Sequence, residues 1–189
     1  MRQPFKHLIN YGVTAIAVTL FFGCQNNTQQ LQQYQIKSDL PVSEGFNITT
    51  KYTDSGRVVA TLKTPYYKDF STAFFPYEEF PEGIQVTFID EDGEENYVTS
   101  KYAIRYRRTN LIDLQKDVVL ITSDSVELYA QQLYWDEARN WVFTDQPYTI
   151  QFPDGSYNKG DLFDSSQDFE NFISLNNVSK QYVKDDNTP

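Results

Sequence analysis

Apolar and polar residues alternate along most of the chain beyond residue 45, and turn signals cut the alternation at a fixed interval. Ile84-Gln85-Val86-Thr87-Phe88-Ile89, Val118-Val119-Leu120-Ile121 and Tyr148-Thr149-Ile150-Gln151-Phe152 are built of β-branched, aromatic and aliphatic residues. That composition favours strand over helix. Asp92-Gly93, Ser123-Asp124-Ser125 and Asp154-Gly155 carry the turns, with Gly93, Asp124 and Gly155 spaced 31 residues apart. A small residue follows each turn at a 30-residue interval (Ser100, Ala130 and Gly160), and Asn110 and Asn140 mark a second series of turns. Fixed-period turns between short strands predict an all-β fold of stacked antiparallel hairpins.

The alternation also assigns faces. Ile84, Val86 and Phe88 share one. Val98, Tyr102, Ile104 and Tyr106 are expected to share another, with Ser100 as a gap and with Lys101, Arg105 and Arg107 pointing the other way. Leu128 and Ala130 share a face, as do Tyr148, Ile150 and Phe152. Leu133 and Trp135 fall out of step with Ala130 by one residue, which predicts a bulge near Gln131-Gln132. Upstream, residues 46–53 and 57–63 predict a hairpin about Asp54-Ser55-Gly56. Pro65 is expected to end its second strand, leaving residues 66–76 as a loop or edge covering. Residues 161–183 resume the pattern weakly through Phe163, Phe169, Phe172 and Ile173.

Residues 1–23 have the character of a targeting segment. Arg2 and Lys6 make its start basic, and residues 11–22 form an apolar run of twelve. A bilayer-spanning helix needs about 20, so the run fits a signal sequence. Gly23-Cys24 resembles the end of a bacterial lipoprotein signal. Cys24, the one cysteine, is the expected acylation site; the alternative is a membrane-retained helix with an incidental cysteine. A lone cysteine makes no internal disulfide. Stable anchoring takes more than one acyl chain, each buried methylene contributing about 0.8 kcal/mol. The expected organisation is a leader at 1–23, a polar, amide-rich tether at 24–38, a single domain at 39–183 and a polar tail at 184–189.

Beyond residue 23 the net charge is −12, since the whole chain carries −10 and the leader's Arg2 and Lys6 contribute +2. That balance argues against nucleic acid as a partner. The one histidine, His7, lies in the leader, so the remaining 166 residues have none. Ser-His-Asp and Cys-His sites are thereby excluded, as are histidine-based metal centres. No glycine-rich phosphate loop is present. Asp90, Glu91, Asp92, Glu94, Glu95 and Asp154 lie at turns, where acids are ordinarily solvated turn formers. Neither catalytic residues, cofactor nor metal is expected. The 14 tyrosines and 14 phenylalanines suit either a sandwich core or a long apolar trough between two sheets.

Tyr77-Glu78-Glu79-Phe80-Pro81-Glu82-Gly83-Ile84-Gln85-Val86 is similar to the Tyr-x-x-Phe-Pro-x-Gly-hydrophobic block of lipoprotein-type members of the LptC family, periplasmic components of lipopolysaccharide export. Asp92-Gly93, Ser100-Lys101-Tyr102-Ala103, Asp117-Val118, Leu133-Tyr134-Trp135-Asp136, and Asp154-Gly155 with Gly160 fit the repeated hairpins of that family. The resemblance spans about residues 39–173. It implies an antiparallel, V-shaped β-jellyroll whose inner face holds the acyl chains of lipopolysaccharide. It further implies receipt of that lipid from an inner-membrane ABC transporter and its passage, through strand edges, to a bridge protein of the LptA type. The chain would sit on the periplasmic side of the inner membrane, held by the lipid on Cys24. Better-known members use an N-terminal helix instead. Facing alone nominates Phe88, Val98, Ile104, Tyr106, Leu120, Leu128, Tyr148 and Ile150 for the groove. Two rival readings stand beside this one: a β-sandwich lipoprotein that binds glycan or protein with no lipid groove, and a glycosidase with a pair of carboxylates on its inner faces.

Overall fold

The computed structural model describes residues 40–89, 93–167, 169 and 171–182. All of them belong to one compact unit, Ser38–Pro189. Cys24, the leader, the tether and the polar tail lie outside the described residues. Fourteen strands occur among the described residues: β1 (Ser43–Asp54), β2 (Arg57–Phe70), β3 (Tyr77–Phe80), β4 (Ile84–Ile89), β5 (Glu95–Ser100), β6 (Tyr102–Tyr106), β7 (Leu111–Ile121), β8 (Glu127–Asp136), β9 (Trp141–Thr144), β10 (Tyr148–Gln151), β11 (Tyr157–Gly160), β12 (Leu162–Ser166), β13 (Phe172–Leu175) and β14 (Val178–Lys180). They join into one antiparallel, jellyroll-like sheet.

The sheet is folded across its own strands. One leaf contains the first half of β2, then β4, β5, the second half of β7, the first half of β8, β10, β11 and β14. The other contains the second half of β2, then β3, β6, the first half of β7, the second half of β8, β9, β12 and β13. The strands β1, β2, β7 and β8 run through both leaves, while the others break at the crease, at residues 81–83, 101, 145–147, 161 and 176–177. Across the fold, Phe88 meets Trp135 with ring centroids 5.4 Å apart, and Tyr148 meets Phe163 at 5.0 Å. Leu62, Val86, Val98, Leu120, Leu128 and Ile150 of the first leaf are buried against Phe80, Ala103, Ile112, Leu114, Leu133 and Val142 of the second.

The periodic residues now have positions. Gly93, Asp124 and Gly155 sit in the turns that end the first leaf; Asn110 and Asn140, at φ of 53° and 51°, sit in those that end the second. Ser100, Ala130 and Gly160 lie at the crease. Tyr148 pairs with both Ala130 and Gly160, and a Cβ on Gly160 would stand 3.0 Å from the Tyr148 ring. Small residues are therefore needed where the two leaves converge.

Strand facing changes at the crease. Gln115 pairs with Gln132 and Val118 with Ala130, so β7 carries one residue more than β8 there. Lys116 and Asp117, at φ of 64° and 52°, accommodate it. The irregularity expected at Gln131-Gln132 is present, with the extra residue on the partner strand. The same half-step falls at Lys101, between β5 and β6. Val98 and Ser100 face inward, but beyond Lys101 it is Ala103 that is fully buried. Ile104 pairs with Asp113 and, with Tyr102 and Tyr106, lies on the outer face. The expected grouping of Val98 with Tyr102, Ile104 and Tyr106 is thus corrected.

Pro65 does not end β2, which runs on to Phe70. At Pro65 the strand exchanges partners: its pairing with β4 stops at Lys63 and that with β3 starts at Lys68. No ladder hydrogen bond is demanded of residue 65 on that side, so the missing N–H is tolerated. Only part of residues 66–76 is the expected loop.

Gly83, at φ +86°, brings the chain within reach of β5, where an added Cβ would stand 2.1 Å from the Ser100 carbonyl oxygen. Gly93 has nearly the same φ and open space around it. Gly83→Ala is expected to lower stability by about 3 kcal/mol or more, and Gly93→Ala by about 1 kcal/mol. Urea unfolding followed by tryptophan fluorescence distinguishes steric contact from backbone conformation as the origin of the difference.

Candidate functional site

The space between the leaves is where a sheet folded on itself can hold a ligand. Its centre is filled. Phe88, Val98, Leu114, Leu120, Leu133 and Val142 close on one another without room for a water molecule. The trough expected to be open along its length is therefore shut in the middle.

Towards the β1 side the leaves part and leave a cavity of about 260 Å³. Leu62, Val86 and Phe88 of the first leaf and Ile112 and Trp135 of the second form its apolar wall. Val59, which is 37% exposed, lies at its opening. Six of the eight residues nominated from facing reach the interior: Phe88, Val98, Leu120, Leu128, Tyr148 and Ile150 are all buried. Only Phe88 lines this cavity; Val98 and Leu120 line the closed centre. Ile104 and Tyr106 are corrected to the outside, for the reason given by the half-step at Lys101.

The rim is polar. Arg105, carried inward by the half-step, lies at the cavity wall with Glu137, which comes from the turn between β8 and β9. Arg105 donates from Nε to Glu137 Oε2 at 2.9 Å and from Nη2 to Oε1 at 3.3 Å. Its Nη1 reaches the Tyr52 hydroxyl at 3.2 Å, and the guanidinium lies 5.4 Å from the centre of that ring. Tyr52 belongs to β1 and pairs with Ala60 of the first leaf, so this contact spans the opening. The β1–β2 register shifts between Tyr52 and Thr53.

Behind Arg105 lies a second group of charges. Glu78 has a side chain 10% exposed; it takes a hydrogen bond from Arg107 Nη2 at 2.5 Å and one from the Tyr67 hydroxyl at 3.0 Å. Arg105 Nη1 stands 3.6 Å from it, and Asp69 is 3.7 Å from Arg107. Glu78 and Asp69 thus put two carboxylates on the inner face of the second leaf. Each acid in this network has an arginine partner, as buried charge requires. Burial, followed by the Glu78 charge, pushes the Tyr67 hydroxyl up to about 12. Burial also raises Tyr52, against the opposing effect of Arg105.

No family model matches the chain. No curated protein matches it either. Among the described residues no cluster of His, Cys, Asp and Glu could hold a metal ion, and no helix is long and apolar enough to cross a membrane. Tyr52, Leu62, Ile112, Trp135 and the Arg105–Glu137 pair also line the cavity, and strand facing alone does not reach them. One signal for the last was present: a slip at Gln131-Gln132 shifts β7, and β6, which carries Arg105, pairs with β7 in turn.

The raised Tyr67 hydroxyl couples the network to pH. Below about pH 10 both folded and unfolded chains keep the proton; between 10 and 12 the unfolded chain loses it first, so stability falls. The urea midpoint should drop across that interval, and Tyr67→Phe should flatten the drop.

Proposed function

We propose that this domain carries acyl chains between its two leaves as a membrane-anchored, LptC-like component of lipopolysaccharide export. It would receive the lipid from an inner-membrane ABC transporter and pass it to a periplasmic bridge protein of the LptA type. The observation that carries this reading is the apolar cavity between the leaves, bordered by buried apolar residues of both. The edges support it as well. Among the described residues β1 pairs only with β2, β13 only with β12 and β14 only with β11, so a twelve-residue strand borders one side of the sheet and two short strands the other. Unpaired edges are the means by which such modules add strands to one another. Acylation of Cys24 would hold the domain on the periplasmic side of the inner membrane, and the reading needs no catalytic residue or cofactor.

For a lipid with several chains the leaves must part. Separating the closed centre exposes apolar surface at about 25 cal/mol per Å², and incoming acyl chains offset that cost by covering the same surface. The contact between Arg105 and Tyr52 holds one side of the opening.

A second reading, binding of glycan or protein without a lipid groove, is favoured by the closed centre together with the outer face of the second leaf. Tyr102, Ile104, Tyr106, Tyr134 and Phe143 are half-buried there, and Tyr134 stacks on Phe143 at 5.1 Å. Asp113, buried among them, accepts hydrogen bonds from Gln115 at 2.7 Å and Gln132 at 2.8 Å.

Photoreactive residues separate the two readings. Under the transport reading, a crosslinker at Phe88 labels lipopolysaccharide in cells, whereas one at Ile104, on the outer face, gives at least about tenfold less. Equal labelling at both positions, or none at Phe88, overturns that reading. Cys24→Ser should abolish palmitate incorporation and release the protein from the membrane fraction; retention in the membrane without palmitate would assign the anchor to an uncleaved helix.

A further inference from the structure

We propose that the cavity beside Arg105 binds one single-chain amphiphile with a carboxylate head, a fatty-acid anion, whose carboxylate takes the position now held by that of Glu137. This inference does not depend on the export role.

Size sets the first limit. An apolar cavity of ~150 Å³ takes one benzene, so the 260 Å³ here takes about ten carbons. That is room for much of one hydrocarbon chain and too little for a lipid with several. The lining sets the second. Leu62, Val86, Phe88, Ile112 and Trp135 surround the tail, and among the described residues Arg105 is the one cation on the wall. Small-molecule sites have this composition: mostly apolar, with a few polar groups that fix orientation.

Glu137 shows how the head would be held. Its two oxygens engage Nε and Nη2 of Arg105 at 2.9 and 3.3 Å, the two-point geometry that a guanidinium offers to any carboxylate. Glu137 stands in a turn, not a strand, and its side chain is 27% exposed. It can rotate into water when another carboxylate arrives. Replacing one carboxylate by another leaves the charge around Arg105 unchanged. A dianionic phosphate would add charge close to Glu78, whose side chain is 10% exposed, and a neutral alcohol would not displace Glu137. The site therefore selects a monoanionic, planar head.

The test is displacement of cis-parinaric acid from the purified protein by dodecanoate and by dodecanol. Dodecanoate should displace the probe, with dodecanol weaker by about tenfold or more, as expected for a lost charge-assisted hydrogen bond. Glu137→Gln, a change in a part-exposed turn, should tighten dodecanoate several-fold by removing the internal competitor, and leave dodecanol unchanged. Arg105→Gln should bring the two ligands to the same affinity. The proposal is overturned if dodecanoate does not displace the probe, if the alcohol competes equally with the wild-type protein, or if Glu137→Gln weakens dodecanoate. Crosslinking of lipopolysaccharide at Phe88 is read separately, so either result can fail while the other stands.

Discussion

The crease governs this molecule. A sheet can fold across its own strands only if every strand changes course at the same level, and each does so by a different local device. β7 accepts an extra residue with Lys116 and Asp117 in the left-handed region. β3 and β4 are separated by Gly83, whose backbone lies against that of β5. β11 reaches the crease through Gly160, beneath the Tyr148 ring. β2 uses Pro65 at the point where its partner changes. Because the strands are hydrogen-bonded side by side, a failure in one would put its neighbours out of register. The constraint is collective, and the core on both leaves depends on it.

The polar character of the opening follows from the same constraint. The half-step at Lys101 turns Arg105 inward and Ile104 outward. Without it, an isoleucine would face the cavity and the guanidinium would stand in solvent. Bringing an arginine into a part-buried rim is costly unless carboxylates and hydroxyls surround it, and Glu137, Glu78 and Tyr52 do so. Among the described residues no buried side-chain nitrogen or oxygen lacks a hydrogen-bond partner. The apolar wall and the charged rim are two products of one change in facing.

Much of this was legible in the sequence. Alternation identified the strands, and the 31-residue spacing of Gly93, Asp124 and Gly155 located three turns at the end of one leaf. The 30-residue series Ser100, Ala130 and Gly160 was visible too, though its meaning was not; small size at those places matters only once the two leaves converge. The faces of β4, the second half of β7 and β10 followed from period two, so Phe88, Leu120 and Ile150 were rightly placed inside. Ile104 and Tyr106 were misplaced because in Tyr102-Ala103-Ile104-Arg105-Tyr106 alternation points Tyr, Ile and Tyr inward, and the half-step at Lys101, which leaves no mark on composition, reverses that phase. Position 65 failed for a related reason. Proline forbids a ladder bond, but the sequence does not reveal that no partner stands there. The closed centre was beyond reach, since whether two apolar faces meet or stay apart depends on their separation.

Counting each strand broken at the crease together with its continuation in the other leaf, every strand among the described residues pairs only with those beside it in the chain, from β1 at one border to β13 and β14 at the other. Such a meander has no keystone. Removing β13 and β14 would expose β12 and β11 as a new border and leave all the inner pairings intact, and a further hairpin could be appended at the same place. The architecture can thus vary in width, one hairpin at a time, without rewiring what remains.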